Sequence, residues 1–567
     1  MNLESDKQRG RYLVLIYAVL IVAFIWGVYG SAVSFDFLSW DDDQNVLNNR
    51  WLQPGLWWQF WVKPYLCMYL PPVYTAWYGL AKLDAQPNPT FFHAFNVLVH
   101  TANTLIVFNL ARTNFSIACE DEAENERFQI NRVLIASTIA ALIFALHPIQ
   151  VEATAWVTGL RDLLGAFGAL LATTLLFKQQ QGLKLKILSW LAFLFAMLCK
   201  PSAVALPAAV FGLTYLTRVT SLRHAARRSI IWLLTTVPIV WITVTAQTEI
   251  ADRELAKVSL WQRILVTFDS YSFYLKKWLL PINLTNDYGR KPAVALADPN
   301  LIGNISLIII AGVTVILLRR KLGAKCLAWC FFATVMLAPT SGIVTFPFQH
   351  TSTVTDHYFY LSSAGLSLAL GCIFYKYLSR IVTLIAALLL AVYIILDLKQ
   401  LPRWKNDSHM FPAMIAANSN SYAGYTGMAA IAMKDNRRLE ALNYLEAAQR
   451  IDPDKVDLLA NKGLVLNELG RYQEVLAELG RILPAKSILI TSPVSAPSIS
   501  IYYMMLAYAH IRLNQIDQSL PYLCRAQIAD PANKDVVGFM PLVLKHLGYQ
   551  PYDHSVCLKL KSVADWD

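Results

Sequence analysis

Charged residues are scarce in this sequence of 567 residues. Asp, Glu, Lys and Arg together make up 15% of the chain, whereas soluble globular proteins usually contain about 25%. Hydrophobic residues account for 56%, and the mean hydropathy is +0.41. This composition excludes a soluble globular protein and predicts that much of the chain faces lipid.

The sequence also lacks any informative spacing of its cysteines. The eight cysteines form no CxxC motif and no Cys/His pattern typical of a metal site, so they predict neither a zinc site nor a disulfide framework. Cys524 and Cys557 both fall in the C-terminal segment. Whether they are bridged stays open, because a disulfide requires an oxidising compartment.

A basic stripe of the kind that binds nucleic acid is also absent from the sequence. The net charge is +11, but Lys and Arg occur in short clusters between hydrophobic stretches. That distribution is typical of the cytoplasmic loops of membrane proteins and not of a phosphate-binding surface. We therefore expect a membrane protein with no nucleic-acid partner.

What the sequence does contain is a series of long apolar runs. We predict eleven membrane spans, the first of them retained as an uncleaved anchor. They are expected at about 12–33, 91–111, 132–147, 162–177, 187–199, 203–217, 229–248, 301–318, 326–340, 358–375 and 381–398. Segment 262–281 contains Asp269, Lys276 and Lys277, which favours an interfacial or re-entrant helix.

The basic clusters fall in alternate loops, which predicts a cytoplasmic N-terminus and an extracytoplasmic C-terminus. From about 413 to 550 the sequence becomes mixed polar and apolar, and its turn residues recur. Asn436 and Gly470 are 34 residues apart, as are Asn514 and Gly548. That is the tetratricopeptide period, and the longer middle step implies an insertion near 488–498. About three repeats and a partial fourth are expected, with a groove for a peptide or partner helix.

The predicted fold is therefore all-α, with a polytopic helical bundle over 1–400 and an α-solenoid of about three to four repeats over 401–567. Polar residues concentrate in the loops predicted to lie outside. Asp41, Asp42 and Asp43 follow the first span, where a helix N-cap or a solvated turn is the plainer interpretation. His147, Glu152 and Arg161 follow the third, and ionisable groups at a membrane boundary are often functional.

Six motifs together resemble those of a known family. They are Trp40–Asp43, Phe92–Asn96 with His100 and Asn103, His147–Asp162, Lys200–Pro201, Leu284–Tyr288 and Asp356–Leu361. In this order they look like the transmembrane and tetratricopeptide-repeat (TMTC) glycosyltransferases of the GT-C superfamily, which are similar to protein O-mannosyltransferases. The chain departs from the family in having Asp356-His357-Tyr358 where Asp-Arg-Tyr is common, and its repeat segment is shorter than in eukaryotic members.

The resemblance implies an inverting GT-C glycosyltransferase. Such an enzyme would move mannose or another hexose from a polyprenyl-phosphate carrier to Ser or Thr hydroxyls of an extracytoplasmic protein. It implies a catalytic base at Asp41 or Asp42. Cations are needed for the departing phosphate, with Arg161 first, followed by His147, His357, Arg290 and Lys291. Residues expected to contact the acceptor or shape the site are Asp43, Glu152, Asp162, Asp356, Tyr358, His93 and Asp287.

No cofactor is firmly predicted, and no metal, because Glu152 has no evident carboxylate partner. The expected partners are the lipid-linked donor and a protein acceptor or partner subunit bound by the repeats. The expected location is a bacterial inner membrane with periplasmic repeats, or the endoplasmic reticulum membrane in a eukaryote. Alternatives are a transferase acting on a lipid or polysaccharide, and a non-catalytic scaffold for a secretion or pilus machine. A transporter ranks last, since paired broken spans are not evident.

Overall fold

The computed structural model describes residues 3–116, 126–177, 182–217, 221–247, 258–480, 496–550 and 557. These residues are helical or irregular, with no β-strand among them and one isolated bridge between Tyr65 and Met68. The chain divides into two compact units, Met1–His409 and Met410–Asp567. The predicted boundary was 400/401.

The first unit is a bundle of α-helices linked by short helical turns. Its described α-helices are Leu3–Tyr29, Pro71–Ala81, Pro89–Ser116, Glu126–Leu146, Val151–Ala155, Leu160–Phe177, Leu183–Cys199, Leu206–Leu216, Leu222–Gln247, Leu260–Leu279, Pro292–Leu296, Leu301–Leu317, Arg319–Leu337, Tyr360–Lys376 and Arg380–Gln400. The 3₁₀ turns are Gly30–Ser34, Arg50–Leu52, Trp57–Trp61, Pro148–Gln150, Val157–Gly159, Pro201–Ala205, Ala338–Thr340, Pro347–His350, Asp356–Phe359 and Leu401–Trp404, and Asp43–Leu47 is a π-turn.

Eight helical segments of the described chain are long and apolar enough to cross a membrane, which makes this a multi-pass membrane protein. They are Gly10–Ser34, Pro89–Phe115, Gln129–Leu146, Val157–Phe177, Leu222–Gln247, Arg319–Thr340, Asp356–Lys376 and Arg380–Trp404. Helices at three other predicted spans are shorter, namely Leu183–Cys199, Leu206–Leu216 and Leu301–Leu317. The helix Leu260–Leu279, which covers the predicted interfacial segment, is not one of the eight.

At one end of the first unit, loops that are distant in sequence contact each other. The backbone N–H of Asp36 donates to the carbonyl of Lys405 at 2.9 Å. The hydroxyl of Thr355 donates to Glu152 at 2.8 Å, although 203 residues separate them. Because the helices run back and forth, the loops that follow alternate helices converge here, and the polar motifs come with them.

The opposite end of this unit is basic. The Arg132 side chain donates to the carbonyl of Tyr375 at 3.0 Å, and the Lys325 side chain donates to that of Asn114 at 2.7 Å. These cations bind carbonyls at helix ends, where no intrahelical N–H remains available. Basic side chains therefore hold the loops at this end together.

A polar stripe on the helix Pro89–Ser116 supports the irregular backbone of the first end. It consists of His93, Asn96, His100 and Asn103, whose spacing places them on one helical face. The stripe contacts the carbonyls of Trp156 at 2.7 Å, Leu163 at 2.9 Å, Ala145 at 3.1 Å and Asp36 at 3.3 Å. Buried carbonyls need such partners where helices are interrupted. This contact gives His93, predicted to shape the site, an architectural role.

The second unit consists of paired helices. After Asp407–Ala417, which crosses the unit boundary, the described helices are Tyr422–Lys434, Arg438–Ile451, Val456–Glu468, Tyr472–Leu479, Ala496–Arg512, Ile516–Ala529 and Lys534–His546. The predicted insertion at 488–498 falls largely outside the described residues.

Four corners of the second unit share one backbone geometry. Asn436, Gly470, Asn514 and Gly548 all have positive φ, at 59°, 75°, 60° and 81°. At each corner the following N–H donates to the carbonyl five residues before it, at 2.7 to 2.9 Å. This is the Schellman arrangement that ends a helix. The same turn therefore recurs at the four positions that the sequence spacing singled out.

A disulfide joins Cys524 and Cys557, with the Cα atoms 5.3 Å apart. Cys524 lies in the helix Ile516–Ala529 and is buried. The disulfide connects Cys557 to this helix. Whether the two cysteines are bridged was left open by the sequence, and in the structure they are.

Candidate functional site

Asp42 is buried, and its side chain links two loops by hydrogen bonds. Its Oδ1 accepts the N–H and the hydroxyl of Thr158 at 3.0 and 2.6 Å, and its Oδ2 accepts the N–H of Leu38 at 3.1 Å. Burial raises the pKa of Asp42 to about 7, although these donors act in the opposite direction. Both oxygens are engaged, so the geometry favours a structural role over the predicted role of base.

Asp41, unlike Asp42, is exposed and has no close side-chain partner among the described residues. Its side chain is 51% exposed, and its Oδ2 lies 3.9 Å from Nη2 of Arg161. The residue has a φ of 70°, a left-handed conformation that costs about 1–3 kcal/mol outside glycine. Its carbonyl is held by the N–H and side-chain amide of Asn45 at 2.9 and 3.0 Å. The exposed Asp41 carboxylate is accessible, so it can take a proton from a substrate.

Asp43 begins the π-turn that follows. Its Oδ1 accepts the N–H of Gln44 at 2.8 Å, and partial burial raises its pKa. This local contact matches the turn-capping interpretation of the acidic triplet better than a catalytic one.

Arg161 is a nearly buried cation with few partners. Its side chain is 12% exposed and lies over the Trp156 ring at 5.2 Å. Nη1 is 3.4 Å from the Met68 sulfur, and Nε is buried with no hydrogen-bond partner among the described residues. A guanidinium has five N–H donors, and a buried charge is costly unless it is paired. Arg161 therefore has unused capacity to bind an anion.

An aromatic wall, defined as Trp40, Trp156, Phe348 and Tyr358, stands beside Arg161. The indole N–H of Trp156 donates to the Trp40 carbonyl at 2.9 Å. The Phe348 ring makes edge contacts with Trp40 at 6.3 Å and with Tyr358 at 6.4 Å. Ligand sites commonly combine such apolar rings with a few polar groups that fix orientation.

Glu152 and His357 form a buried pair next to this wall. Glu152 accepts the backbone N–H of His357 at 2.9 Å and contacts its ring Nδ1 at 3.0 Å. The His357 ring lies 5.5 Å from the Trp156 ring and 4.5 Å from the Tyr358 ring. Three predicted residues, Glu152, His357 and Tyr358, are thus brought together although about 200 positions separate the first from the others.

Asp162 is paired with a lysine that the sequence prediction left without a role. Lys200 Nζ is 2.5 Å from Oδ1 of Asp162 and 5.0 Å from the centre of the Tyr358 ring. Burial lowers the pKa of Lys200, while the Asp162 charge acts to raise it. A lone lysine at the end of the apolar helix Leu183–Cys199 was a usable signal. Trp156, Thr158 and Thr355 were also missed, and uncharged residues of these types give no comparable signal.

His147 does not fit the predicted phosphate contact. Its Nε2 donates to the carbonyl of Trp278 at 2.9 Å, and its Nδ1 accepts the N–H of Ile149 at 3.2 Å. Burial lowers its pKa to about 4, although the Trp278 carbonyl acts in the other direction. At neutral pH the ring is uncharged with both nitrogens occupied, so His147 caps a helix start.

Arg290 belongs to a separate ionic cluster. Its Nε and Nη2 each lie 2.6 Å from Asp269, and Nη2 is 2.7 Å from Asp298. Asn304 also donates to Asp269, at 2.7 Å. The cluster borders a cleft of about 420 Å³. Two carboxylates already neutralise Arg290, which disfavours the predicted role in binding the donor phosphate.

The remaining predicted residues shape the same neighbourhood. Lys291 is the N-cap of the helix Pro292–Leu296. Asp287 accepts the N–H of Gly289 at 2.9 Å and thereby closes a turn. Tyr288 donates to Asp356 at 2.7 Å. The Leu284–Tyr288 motif therefore supports Asp356, which is buried just before His357.

Among the described residues, no group of three or more His, Cys, Asp or Glu side chains is placed to hold a metal ion. No protein-family model matches the chain, and no curated protein sequence matches it. Arg161 and Asp41 are the described residues whose geometry at this site best suits binding and proton transfer.

Proposed function

We propose that this protein is a GT-C-type glycosyltransferase that moves a hexose, such as mannose, from a polyprenyl-phosphate carrier to Ser or Thr hydroxyls of an extracytoplasmic protein. The observation that carries the proposal is Arg161, a nearly buried cation with one long ion pair and a buried Nε that has no partner among the described residues. A lipid phosphate supplies the missing acceptors and the missing negative charge.

The chemistry is a single in-line displacement. Asp41 removes the proton of the acceptor hydroxyl as its oxygen attacks the anomeric carbon. The bond between that carbon and the phosphate oxygen breaks, and the phosphate leaves with the electron pair beside Arg161. Nucleophile and leaving group lie on opposite faces of the sugar, so the anomeric centre is inverted.

This geometry requires Asp41 and Arg161 to separate when the donor binds. Their contact of 3.9 Å is long, and the Asp41 side chain is half exposed, so little energy opposes the movement. Opening the pair frees Asp41 as a base and Arg161 as a phosphate ligand. The aromatic wall provides an apolar surface for the hexose ring between them.

We further propose that eleven helices span the membrane, with the site at the extracytoplasmic surface. Two features support this orientation. One is the basic end opposite the site, where Lys325 and Arg132 bind backbone carbonyls, and the other is the Cys524–Cys557 disulfide, which suits an oxidising compartment. A bacterial inner membrane with a periplasmic second unit matches both.

The second unit would be a tetratricopeptide-like solenoid that recognises the acceptor protein. Support comes from the recurring corners at Asn436, Gly470, Asn514 and Gly548, since stacked helical repeats of this period expose a peptide-binding groove. A tethered acceptor has a high effective concentration at the base, which raises the rate of transfer.

The test is transfer by the full-length protein in lipid nanodiscs, with polyprenyl-phosphate [³H]mannose as donor and envelope proteins as acceptors. Wild type should release polyprenyl phosphate and label protein. Asp41→Asn should lose activity by about 10²- to 10⁴-fold, because the base is removed. Asp36→Asn, in the same loop, is the matched control and should retain activity.

Full activity of Asp41→Asn would contradict the assignment of the base. An inactive wild type whose cellular phenotype survives in Asp41→Asn would instead support the scaffold. Label appearing in lipid or polysaccharide but not in protein would change the acceptor class and leave the donor chemistry standing.

A further inference from the structure

Segment 401–409, which ends the first unit, lies against the loop that follows the first span. The backbone carbonyl of Lys405 accepts the N–H of Asp36 at 2.9 Å. The ring of Trp404 is buried, and its centre lies 6.3 Å from that of the Trp156 ring. The segment therefore contacts both this loop and the aromatic wall.

Asp407 holds Ser39 of the same loop by two hydrogen bonds. Its Oδ1 accepts the backbone N–H of Ser39 at 2.9 Å, and its Oδ2 accepts the Ser39 hydroxyl at 2.5 Å. Hydrogen bonds to a carboxylate are stronger than those between neutral groups. Because both oxygens bind the same residue, they fix its orientation as well as its position.

Ser39 lies two residues before Asp41, the proposed base. The backbone between them is also held, since the carbonyl of Trp40 accepts the indole N–H of Trp156 at 2.9 Å and the carbonyl of Asp41 accepts the N–H of Asn45 at 2.9 Å. Asp41 has a φ of 70°, and a residue keeps such a conformation only where its surroundings enforce it. Asp407 supplies the contact that begins this series.

A plainer role for Asp407 is to stabilise its own helix. It lies in the first turn of the helix Asp407–Ala417, where a negative charge interacts favourably with the helix dipole. That interaction requires the charge alone, whereas the contact with Ser39 uses both oxygens in a defined orientation. Substitutions of Ser39 leave the helix unchanged, so they distinguish the two roles.

The helix Asp407–Ala417 also connects this contact to the second unit. Within that unit, the ring of Phe411 packs against Gly427 of the helix Tyr422–Lys434, so closely that a side-chain carbon at position 427 would overlap the ring. The helix is therefore held by its packing in the second unit, and its first residue holds the loop of the proposed base.

We propose that Asp407 is a positioning residue for the reaction. By holding Ser39 it sets the orientation of the Asp41 carboxylate, and it makes that orientation depend on the helix that leads into the second unit. The inference rests on the proposed function and deepens it, because it links the base to the unit proposed to recognise the acceptor. Asp407 touches neither reactant in this role.

Kinetics of the full-length protein in nanodiscs, with polyprenyl-phosphate mannose and envelope proteins, test this role. In Ser39→Ala we expect kcat to fall about tenfold, because one hydrogen bond to a charged group is lost. The donor KM should not change, since Arg161 is unaffected. Ser39→Thr keeps the hydroxyl and should retain the wild-type kcat. Ser408→Ala, at an exposed serine next to Asp407, is the matched control and should retain it too.

Asp407→Ala removes both hydrogen bonds. We expect kcat to fall about 10- to 100-fold, because a misplaced base is far less effective. Adding Ser39→Ala should cause no further loss, since the two residues act through one contact. Backbone hydrogen exchange of residues 37–43 measures the same attachment without turnover, and it should be about tenfold faster in Asp407→Ala.

Additive losses, or a raised donor KM with unchanged kcat, would overturn the inference and leave the proposed transferase standing. Faster exchange with an unchanged kcat would do the same, because the contact would then be structural only. If Tm shows that Asp407→Ala is unfolded, the Ser39 variants decide, and equal kcat in Ser39→Ala and Ser39→Thr contradicts the inference. A wild type that transfers no sugar refutes the proposed function and this inference with it.

Discussion

Arg161 and Arg290 have opposite surroundings although the sequence predicts the same role for both. Arg290 makes two contacts of 2.6 Å with Asp269 and one of 2.7 Å with Asp298. Arg161 has a single carboxylate at 3.9 Å and a sulfur at 3.4 Å. The protein itself supplies the hydrogen-bond and ionic partners of Arg290, but its described residues do not supply a full set for Arg161.

The difference shows where binding capacity is kept. A fully partnered cation holds three segments of chain together and has nothing left for a ligand. An underpartnered one costs stability, and that cost is recovered when an anion binds. Asp42 and Asp41 repeat the contrast, since the former is saturated by three donors and the latter is half exposed.

Arg290→Ala should give the largest change, and it should be a change in stability. It leaves Asp269, which is 1% exposed, as a buried charge without its cation, at a cost of roughly 3–5 kcal/mol. Thermal unfolding in detergent should show a clear drop in Tm. Asp269→Asn in the same background should restore part of it, and the proposed transferase activity per folded molecule should be retained. Loss of activity in a well-folded Arg290→Ala variant would contradict the purely structural role assigned to Arg290.

Arg161→Ala should show the opposite pattern. We expect kcat/KM to fall about 10²- to 10³-fold, because in the proposed reaction the departing phosphate loses its electrostatic partner, while Tm changes little or rises. Arg161→Lys, which keeps the charge but not the fork of donors, should fall between the two. The measurement is donor turnover in nanodiscs, and a large drop in Tm with normal activity would count against the assignment.

Asp42→Asn tests the saturated carboxylate through pH. The pKa of Asp42 is raised from 3.8 to about 7 by burial, so the folded state holds a proton that the unfolded state has released between these values. Wild-type stability should therefore fall, relative to Asp42→Asn, as pH rises from about 4 to about 7. The difference in Tm between the two proteins, followed across this range, should favour the variant increasingly. A constant difference would mean that the carboxylate is ionised throughout.

His147→Gln should have the smallest effect on the reaction. With its pKa lowered to about 4, His147 stays neutral between pH 6 and 8, so the normalised pH profile of the variant should superimpose on that of wild type. Its contribution to stability, by contrast, should be lost as pH falls from about 6.5 through 4. Disappearance of a limb of the activity profile would place His147 in the phosphate site after all.

The sequence predicts the hydrophobic helices and the turn positions because both depend on local pattern. The spacing of Asn436 and Gly470 anticipates two left-handed corners, since the turn itself demands residues that tolerate positive φ. The polar character of the loops that form the candidate site is also evident from the sequence. Neither property requires knowledge of which loops touch.

The tertiary partners of the ionisable side chains could not be predicted in the same way. Asp41 and Asp42 are adjacent and chemically identical, yet one is saturated by Thr158, 116 residues away, and the other is not. Likewise, Arg290 and Arg161 both have a carboxylate nearby in sequence, Asp287 and Asp162, and Asp269 reaches Arg290 only through the packing of Leu260–Leu279. Which ionisable groups remain free is a tertiary property, and one sequence does not encode it locally.

The polar stripe of Pro89–Ser116 fixes the relative positions of the segments that form the site. Its four side chains lie at regular intervals along one helix, and each binds a backbone carbonyl of a different segment. A single residue inserted between Asn96 and His100 would rotate the upper half by about 100° against the lower. The two halves of the candidate site would then be rotated relative to each other, even though every residue of the site was still present.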